Sequence, residues 1–150
     1  MTADNGPQEG NPILEDLYHR GLLDLTVKRG GIKFEDSLDI IAVFDPKGER
    51  IVEWEEKWYE FQRLKMQWKK ETVLTGSMTE IVGNKNYQDI INLGQYSLAF
   101  ILNELRTDPD WWFSALHEIT GQNPINDEDS GNLEKMTKSW LEWWKNKNGE

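Results

Sequence analysis

The feature that most limits what this chain can become lies between residues 53 and 74, where Trp54, Trp58, Phe61, Leu64 and Trp68 recur at spacings of three and four. That spacing returns to one side of a helix with every turn, so the side chains form a single aromatic face. A strand would send alternate members to opposite sides. Glu53, Glu55, Glu56 and Glu60 fall in the opening turns and Lys65, Lys69 and Lys70 in the closing ones, the charge order that complements a helix dipole. Aromatic side chains bury roughly 150 to 250 Å² each, so other elements must cover this face.

The stretch that follows reads as shorter helices punctuated by glycine and proline. After the break at Thr75-Gly76-Ser77, a helix of one or two turns runs from Met78 to Val82 and ends near Gly83. Tyr87, Ile90, Ile91 and Leu93 predict the next, ended by Gly94; Leu98, Phe100, Ile101, Leu102 and Leu105 predict a third, which stops before Asp108-Pro109. Pro109 is expected in the first turn of a fourth helix carrying Trp112, Ala115, Leu116 and Ile119 and closed by Gly121. A loop over 123 to 129 precedes a last helix, capped by Asp129 or Ser130, with Leu133, Met136, Trp140, Leu141 and Trp144 on one face.

The N-terminal third has less pattern. Residues 1 to 11 are polar and read as a disordered tail. Residues 12 to 52 form an N-terminal segment that opens on a short helix from Pro12 with Ile13, Leu14, Leu17, Tyr18, Leu22 and Leu23. Ile40, Ile41, Val43 and Phe44, then Asp45-Pro46-Lys47-Gly48, then Ile51, Val52 and Trp54 read as a β-hairpin, two β-branched runs around a turn. The alternative is a helix through 36 to 44 capped by Asp36 or Ser37, and runs this short do not separate the two.

Four strings carry a resemblance: Tyr87-Gln88-Asp89-Ile90-Ile91-Asn92-Leu93-Gly94, Ser97-Leu98-Ala99-Phe100-Ile101-Leu102-Asn103-Glu104-Leu105, Asp108-Pro109-Asp110-Trp111-Trp112-Phe113-Ser114-Ala115-Leu116 and Ile119-Thr120-Gly121-Gln122-Asn123-Pro124, with Ser139-Trp140-Leu141-Glu142-Trp143 near the end. Over roughly residues 55 to 148 the chain resembles a group of small bacterial proteins common among cyanobacteria. Within it, the order helix, glycine, helix ending in Ile-Leu-x-x-Leu, then Asp-Pro-Asp and a helix with Ala-Leu is similar to HEAT-like repeats, which stack helix pairs and present a surface to partners. The chain holds one clear repeat and part of another, fewer than a solenoid needs. The expected fold is therefore mostly α: a compact HEAT-like helical stack over 53 to 148, with the N-terminal hairpin as its one β element. The resemblance implies a fold and no activity.

Side chains for catalysis are sparse. His19 and His117 are the only histidines, and His117-Glu118 lacks the second histidine at helical spacing that a zinc hydrolase requires. His117 therefore reads as a surface or hydrogen-bonded structural residue. No Gly-x-x-x-x-Gly-Lys-Ser/Thr, Gly-x-Gly-x-x-Gly or Gly-x-Ser-x-Gly string is present, and Gly30-Gly31 reads as a turn. Asp127, Glu128 and Asp129 with Gly131 suggest calcium, but the EF-hand register puts Thr137 where a glutamate must stand. Those acids read instead as helix N-terminal charges, and Asp108 and Asp110 as caps around Pro109. No cofactor and no metal is expected, and the chain reads as a non-enzyme.

Composition narrows the partners. The 150 residues carry 17 basic and 27 acidic side chains, a net charge of −10, which opposes direct nucleic-acid binding. The absence of cysteine fits a cytoplasmic location, and neither a membrane span nor a signal peptide is expected. Glu104, Asp108, Asp110, Glu118, Asp127, Glu128, Asp129 and Glu134 face Arg106 alone between positions 104 and 134, a run that reads either as a solvated face or as a patch that steers a basic partner. Trp111-Trp112 and Trp143-Trp144 are adjacent pairs whose members point about 100° apart, so both cannot face one core. Trp111 and Trp143 thus join Asp108, Asp110, Glu118, Asp127, Glu128 and Asp129 as candidate partner-binding residues; a second helix packed from the other side is the alternative for the two tryptophans. The function expected is a non-catalytic protein-interaction module, an antitoxin-like or inhibitory partner of a basic bacterial protein. The alternatives are an acidic nucleic-acid mimic that inhibits a defence nuclease or DNA-binding protein, and an enzyme whose site the sequence conceals. Oligomeric state is open at this point.

Overall fold

The computed structural model describes residues 32–148. The predicted tail at 1–11, the short helix from Pro12, His19 and Gly30-Gly31 lie outside the described residues. Among the described residues the chain is helical and has no strand. A 3₁₀ turn, Phe34–Ser37, leads into α1 (Leu38–Phe44), followed by α2 (Ile51–Thr72), α3 (Met78–Gly83), α4 (Lys85–Asn92), α5 (Gln95–Thr107), α6 (Phe113–Thr120), a second 3₁₀ turn at Asp127–Asp129, and α7 (Leu133–Lys147). No helix among them is long and apolar enough to cross a membrane.

The spacing argument for α2 holds: Trp54, Trp58, Phe61, Leu64 and Trp68 are all buried. What covers them is chiefly α4 and α5. α5 is the central element, with Ala99, Phe100, Ile101, Leu102 and Leu105 buried in one continuous run. A helix buried around so much of its circumference needs neighbours on several sides, and α1, α2, α6 and α7 all pack on it. Trp112, which precedes α6, occupies the middle of the aromatic core, 4.8 Å from the Trp68 ring and 5.5 Å from Phe61, and stacked on Tyr87 at 5.9 Å. The buried Tyr87 hydroxyl donates to the Trp111 carbonyl (3.0 Å) and accepts from the Ala115 amide (3.1 Å), fastening α4 to the 108–112 connection and to the start of α6.

The predicted β-hairpin does not form. Residues 38–44 are helical and residues 51–54 open α2, so the alternative helix is the one present, starting in 3₁₀ form at Phe34. The Asp-Pro-Lys-Gly sequence is a turn between two helices: the Asp45 carboxylate accepts from the amides of Glu49 (3.1 Å) and Arg50 (3.0 Å), satisfying donors at the entrance to α2 that a strand pair would have used otherwise. Burial decides the contest, because a helix lets Ile40 and Ile41 both enter the core while Phe44 reaches Trp54 at 5.7 Å. Arg106 then clamps this segment to α5, with a two-pronged ion pair to Asp39 (2.7 and 2.9 Å) and a bond to the Asp36 carbonyl (3.0 Å).

Most glycine stops fall where expected. Gly121 closes α6 in the left-handed region (φ 72°), and its amide bonds the His117 carbonyl. Gly94, between α4 and α5, has φ 62° and ψ −125°, a conformation open to glycine alone. Two capping expectations need correction. Pro109 lies outside α6, which begins only at Phe113, and Asp110 caps the Trp111 amide (2.7 Å) in the connection instead. The N-cap of α7 is Asn132, whose side chain accepts from the Lys135 amide (3.0 Å); Asp129 and Ser130 belong to the preceding turn.

Candidate partner-binding surface

Helix α7 faces two ways. Thr137 and Trp140 are buried, and Trp144 stacks on Phe44 at 5.7 Å, which ties the C-terminal helix to α1. On its other side Ser139, Glu142, Trp143 and Asn146 follow one another at i, i+3, i+4 and i+7, the geometry of a single stripe. Pro124 and Asn126, from the segment that connects α6 to α7, lie alongside. Together with Lys147 they line an open groove of about 500 Å³.

Trp143 is the aromatic wall of this groove. It is half-buried, meets Trp140 edge-on at 5.1 Å, and has the Lys147 ammonium 5.6 Å from its ring centroid. The connecting segment is held by its own bonds: the His117 imidazole lies 3.0 Å from the Gln122 carbonyl, and the Asn123 side chain accepts from the Ile125 amide (3.2 Å). His117 thus has the hydrogen-bonded structural position expected of it. The turn after Asn126 brings Asp127 and Glu128 out as exposed acids with no ion-pair partner among the described residues.

The remaining acids are divided among different tasks. Glu104 is buried inside the protein, gripped by Lys65 Nζ at 2.8 and 3.1 Å with Gln62 at 3.3 Å. Asp110 pairs with Lys69 at 2.8 Å. Burial pulls the Lys69 ammonium down, but the Asp110 hydrogen bond and the charges of Asp110, Asp108 and Glu104 outweigh it, and its pKa lies above the ordinary value. Asp129 has Lys135 at 4.0 Å. Asp108 ends α5 and Glu118 sits on α6, both exposed. Among the predicted partner-binding residues, Trp143 lines a groove that ends at Asn126, the residue before the 127–129 turn, while Asp110 is set apart in an ion pair. Trp111 is half-buried, edge-on to Phe113 at 5.9 Å, while its neighbour Trp112 is wholly enclosed.

Sequence reasoning did not single out Pro124, Asn126, Ser139, Asn146 or Lys147. The signal for the α7 members was the polar stripe around Trp143; Pro124 and Asn126 join only because the connection folds back, which has no periodic signature. No group of three or more histidine, cysteine, aspartate or glutamate side chains suited to a metal ion occurs among the described residues. No family model, curated protein or solved structure matches this chain.

Proposed function

We propose that this chain is a non-catalytic interaction module that docks a basic protein at the end formed by α7 and the segment before it. The observation that carries this reading is the groove in which Trp143 is accessible and whose wall includes Asn126, the residue before Asp127 and Glu128, two exposed acids without an ion pair among the described residues. A half-exposed tryptophan offers apolar area to a partner, and neighbouring acids with no internal ion pair are free to steer one of opposite sign. Helices in sequential pairs, α3 with α4 and α5 with α6, each in contact, support the HEAT-like stack as the frame that presents this end. A cytoplasmic, antitoxin-like or inhibitory role toward a basic bacterial protein accords with the net charge of −10. The phosphate-mimic reading is weaker, because Glu104, Asp110 and Asp129 are already engaged within the chain.

The test is capture of a partner by the full chain, followed by association kinetics with Trp143→Ala and with the pair Asp127→Lys and Glu128→Lys. The reading expects the first to speed dissociation and the second to slow association, an effect that added salt reproduces in the parent. A captured partner whose rates ignore all three changes would remove this surface from consideration.

A further inference from the structure

We propose that α7 is a hinged helix that leaves α5 as a unit while the aromatic core stays closed, and that the groove carrying Trp143 exists only while α7 is docked. The second half rests on the partner-docking reading above; the first does not.

What holds α7 differs in kind from what holds the other helices. Arg106 clamps α1, Lys65 and Glu104 join α2 to α5, the Trp68 indole of α2 donates to the Ile81 carbonyl of α3, and the Tyr87 hydroxyl ties α4 to α6. Among the described residues, no hydrogen bond or ion pair links 133–147 to any earlier helix; Lys135 reaches only Asp129 in the adjoining turn, at 4.0 Å. α7 is held by packing, chiefly on α5, with the Trp144 ring on Phe44 at one edge. Trp140 is its one fully enclosed apolar side chain, while Leu133, Met136, Leu141 and Trp144 are half-buried.

The docked face also works against itself. Thr137 Oγ1 and Trp140 Nε1 are buried and bond nothing among the described residues. They stand three positions apart, on one side of the helix. Thr72, Thr107 and Thr120 each turn the hydroxyl back on the carbonyl four residues earlier, at 2.8, 3.0 and 2.7 Å; the buried Thr137 does not. A polar group stripped of water without a partner opposes burial, so this interface is weaker than its apolar area implies, and undocking returns both groups to solvent. Gly131, at φ 89° and directly before the Asn132 cap, is the pivot. When α7 swings, Pro124 and Asn126 stay with the connection while Glu142, Trp143 and Asn146 depart, so the groove parts along its length. A partner seated across it would hold α7 in place.

The test is native-state hydrogen exchange on the full chain. Protection over 137–147 should be at least about 100-fold lower than over 99–105. Trp68→Phe, which weakens the core at Tyr87 and Trp112, should speed the 99–105 amides by about tenfold and leave those of 137–147 unchanged, because the core is closed in the docked and undocked forms alike. Thr137→Val, nearly isosteric, should slow exchange over 137–147 by about 5- to 10-fold. A captured partner in excess should slow it by about the ratio of its free concentration to Kd. The proposal is overturned if Trp68→Phe speeds both segments equally, if Thr137→Val leaves 137–147 unchanged or faster, or if a bound partner leaves that exchange unaltered. The first two failures need no partner and leave the docking reading standing; a partner whose rates ignore Trp143→Ala removes that reading and leaves the hinge.

Discussion

Replacing Lys65 by methionine keeps the length of the side chain and removes its charge, leaving Glu104 behind. The Glu104 side chain is 4% exposed and Lys65 20%, with the ammonium 2.8 Å from the carboxylate. What remains for the carboxylate is a single neutral donor, Gln62 at 3.3 Å. Stranding a buried charge in this way typically costs about 3 to 5 kcal/mol; the residual exposure of Lys65 lets water soften that, so about 2 to 4 kcal/mol is expected at neutral pH. In urea, with a slope of about 1 to 3 kcal/mol per molar, the midpoint should fall by about 1 to 2 M, followed by tryptophan emission. Changing Glu104 to leucine as well removes the stranded charge, and the double variant should return to within about 1 kcal/mol of the parent or exceed it. Lys85→Met is the control, because its pair with Asp89 is as short, 2.7 Å, but the lysine is 84% exposed. If Lys65→Met moves the midpoint no further than Lys85→Met does, the Glu104 pair is energetically a surface pair and the packing of α2 on α5 has been misjudged.

Three further outcomes are expected. Gly94→Ala should destabilise more than Gly121→Ala, by about 1 to 3 against about 1 kcal/mol in thermal or urea unfolding, because nothing crowds a new Cβ at either position and only the backbone conformation differs. The hydrogen bond and charge of Arg106 hold the Asp39 carboxyl below its ordinary value of 3.8, so that pair stabilises the folded state above the usual carboxylate range and loses its effect as pH falls below it; Arg106→Gln should flatten the acid limb of the stability profile there by under about 1 kcal/mol, the pair being well exposed. Trp68→Ala should cost about 3 to 5 kcal/mol, and Trp68→Phe distinctly less, since phenylalanine refills most of the space and gives up only the bond from the indole to the Ile81 carbonyl (2.8 Å).

How far residues announce structure depends on whether the deciding force is local. α2 is legible because its five core side chains lie on one stripe with charges graded along the axis, and α3 to α6 because glycine or proline marks their ends. The segment around Ile40 is not: its β-branched residues favour a strand locally, and the helix prevails through burial of Ile40 and Ile41 and the clamp from Arg106, sixty-seven positions away. The candidate surface is legible in part. Adjacent tryptophans imply that one is displaced from the core, and Trp143 lines the groove. The acids as a single patch are not legible, because charge along a chain does not say which lysine lies opposite; Lys65 and Lys69 neutralise Glu104 and Asp110 from a helix some forty residues earlier.

The crowding of aromatic rings has an optical consequence. Tyr87 lies 5.0 Å from Trp68 and 5.9 Å from Trp112, and the two indoles are 4.8 Å apart. At such separations an excited phenol hands its energy to an indole far faster than it emits, and neighbouring indoles pass excitation on to whichever absorbs furthest to the red. Native emission will therefore report a small subset of the eight tryptophans, and Tyr87 will be dark. Coupled indole transitions will also add bands to the far-ultraviolet spectrum that overlap the helical signal. A rise of tyrosine emission as Tyr87 leaves its indole neighbours would then mark loss of this cluster more cleanly than any shift of the tryptophan maximum.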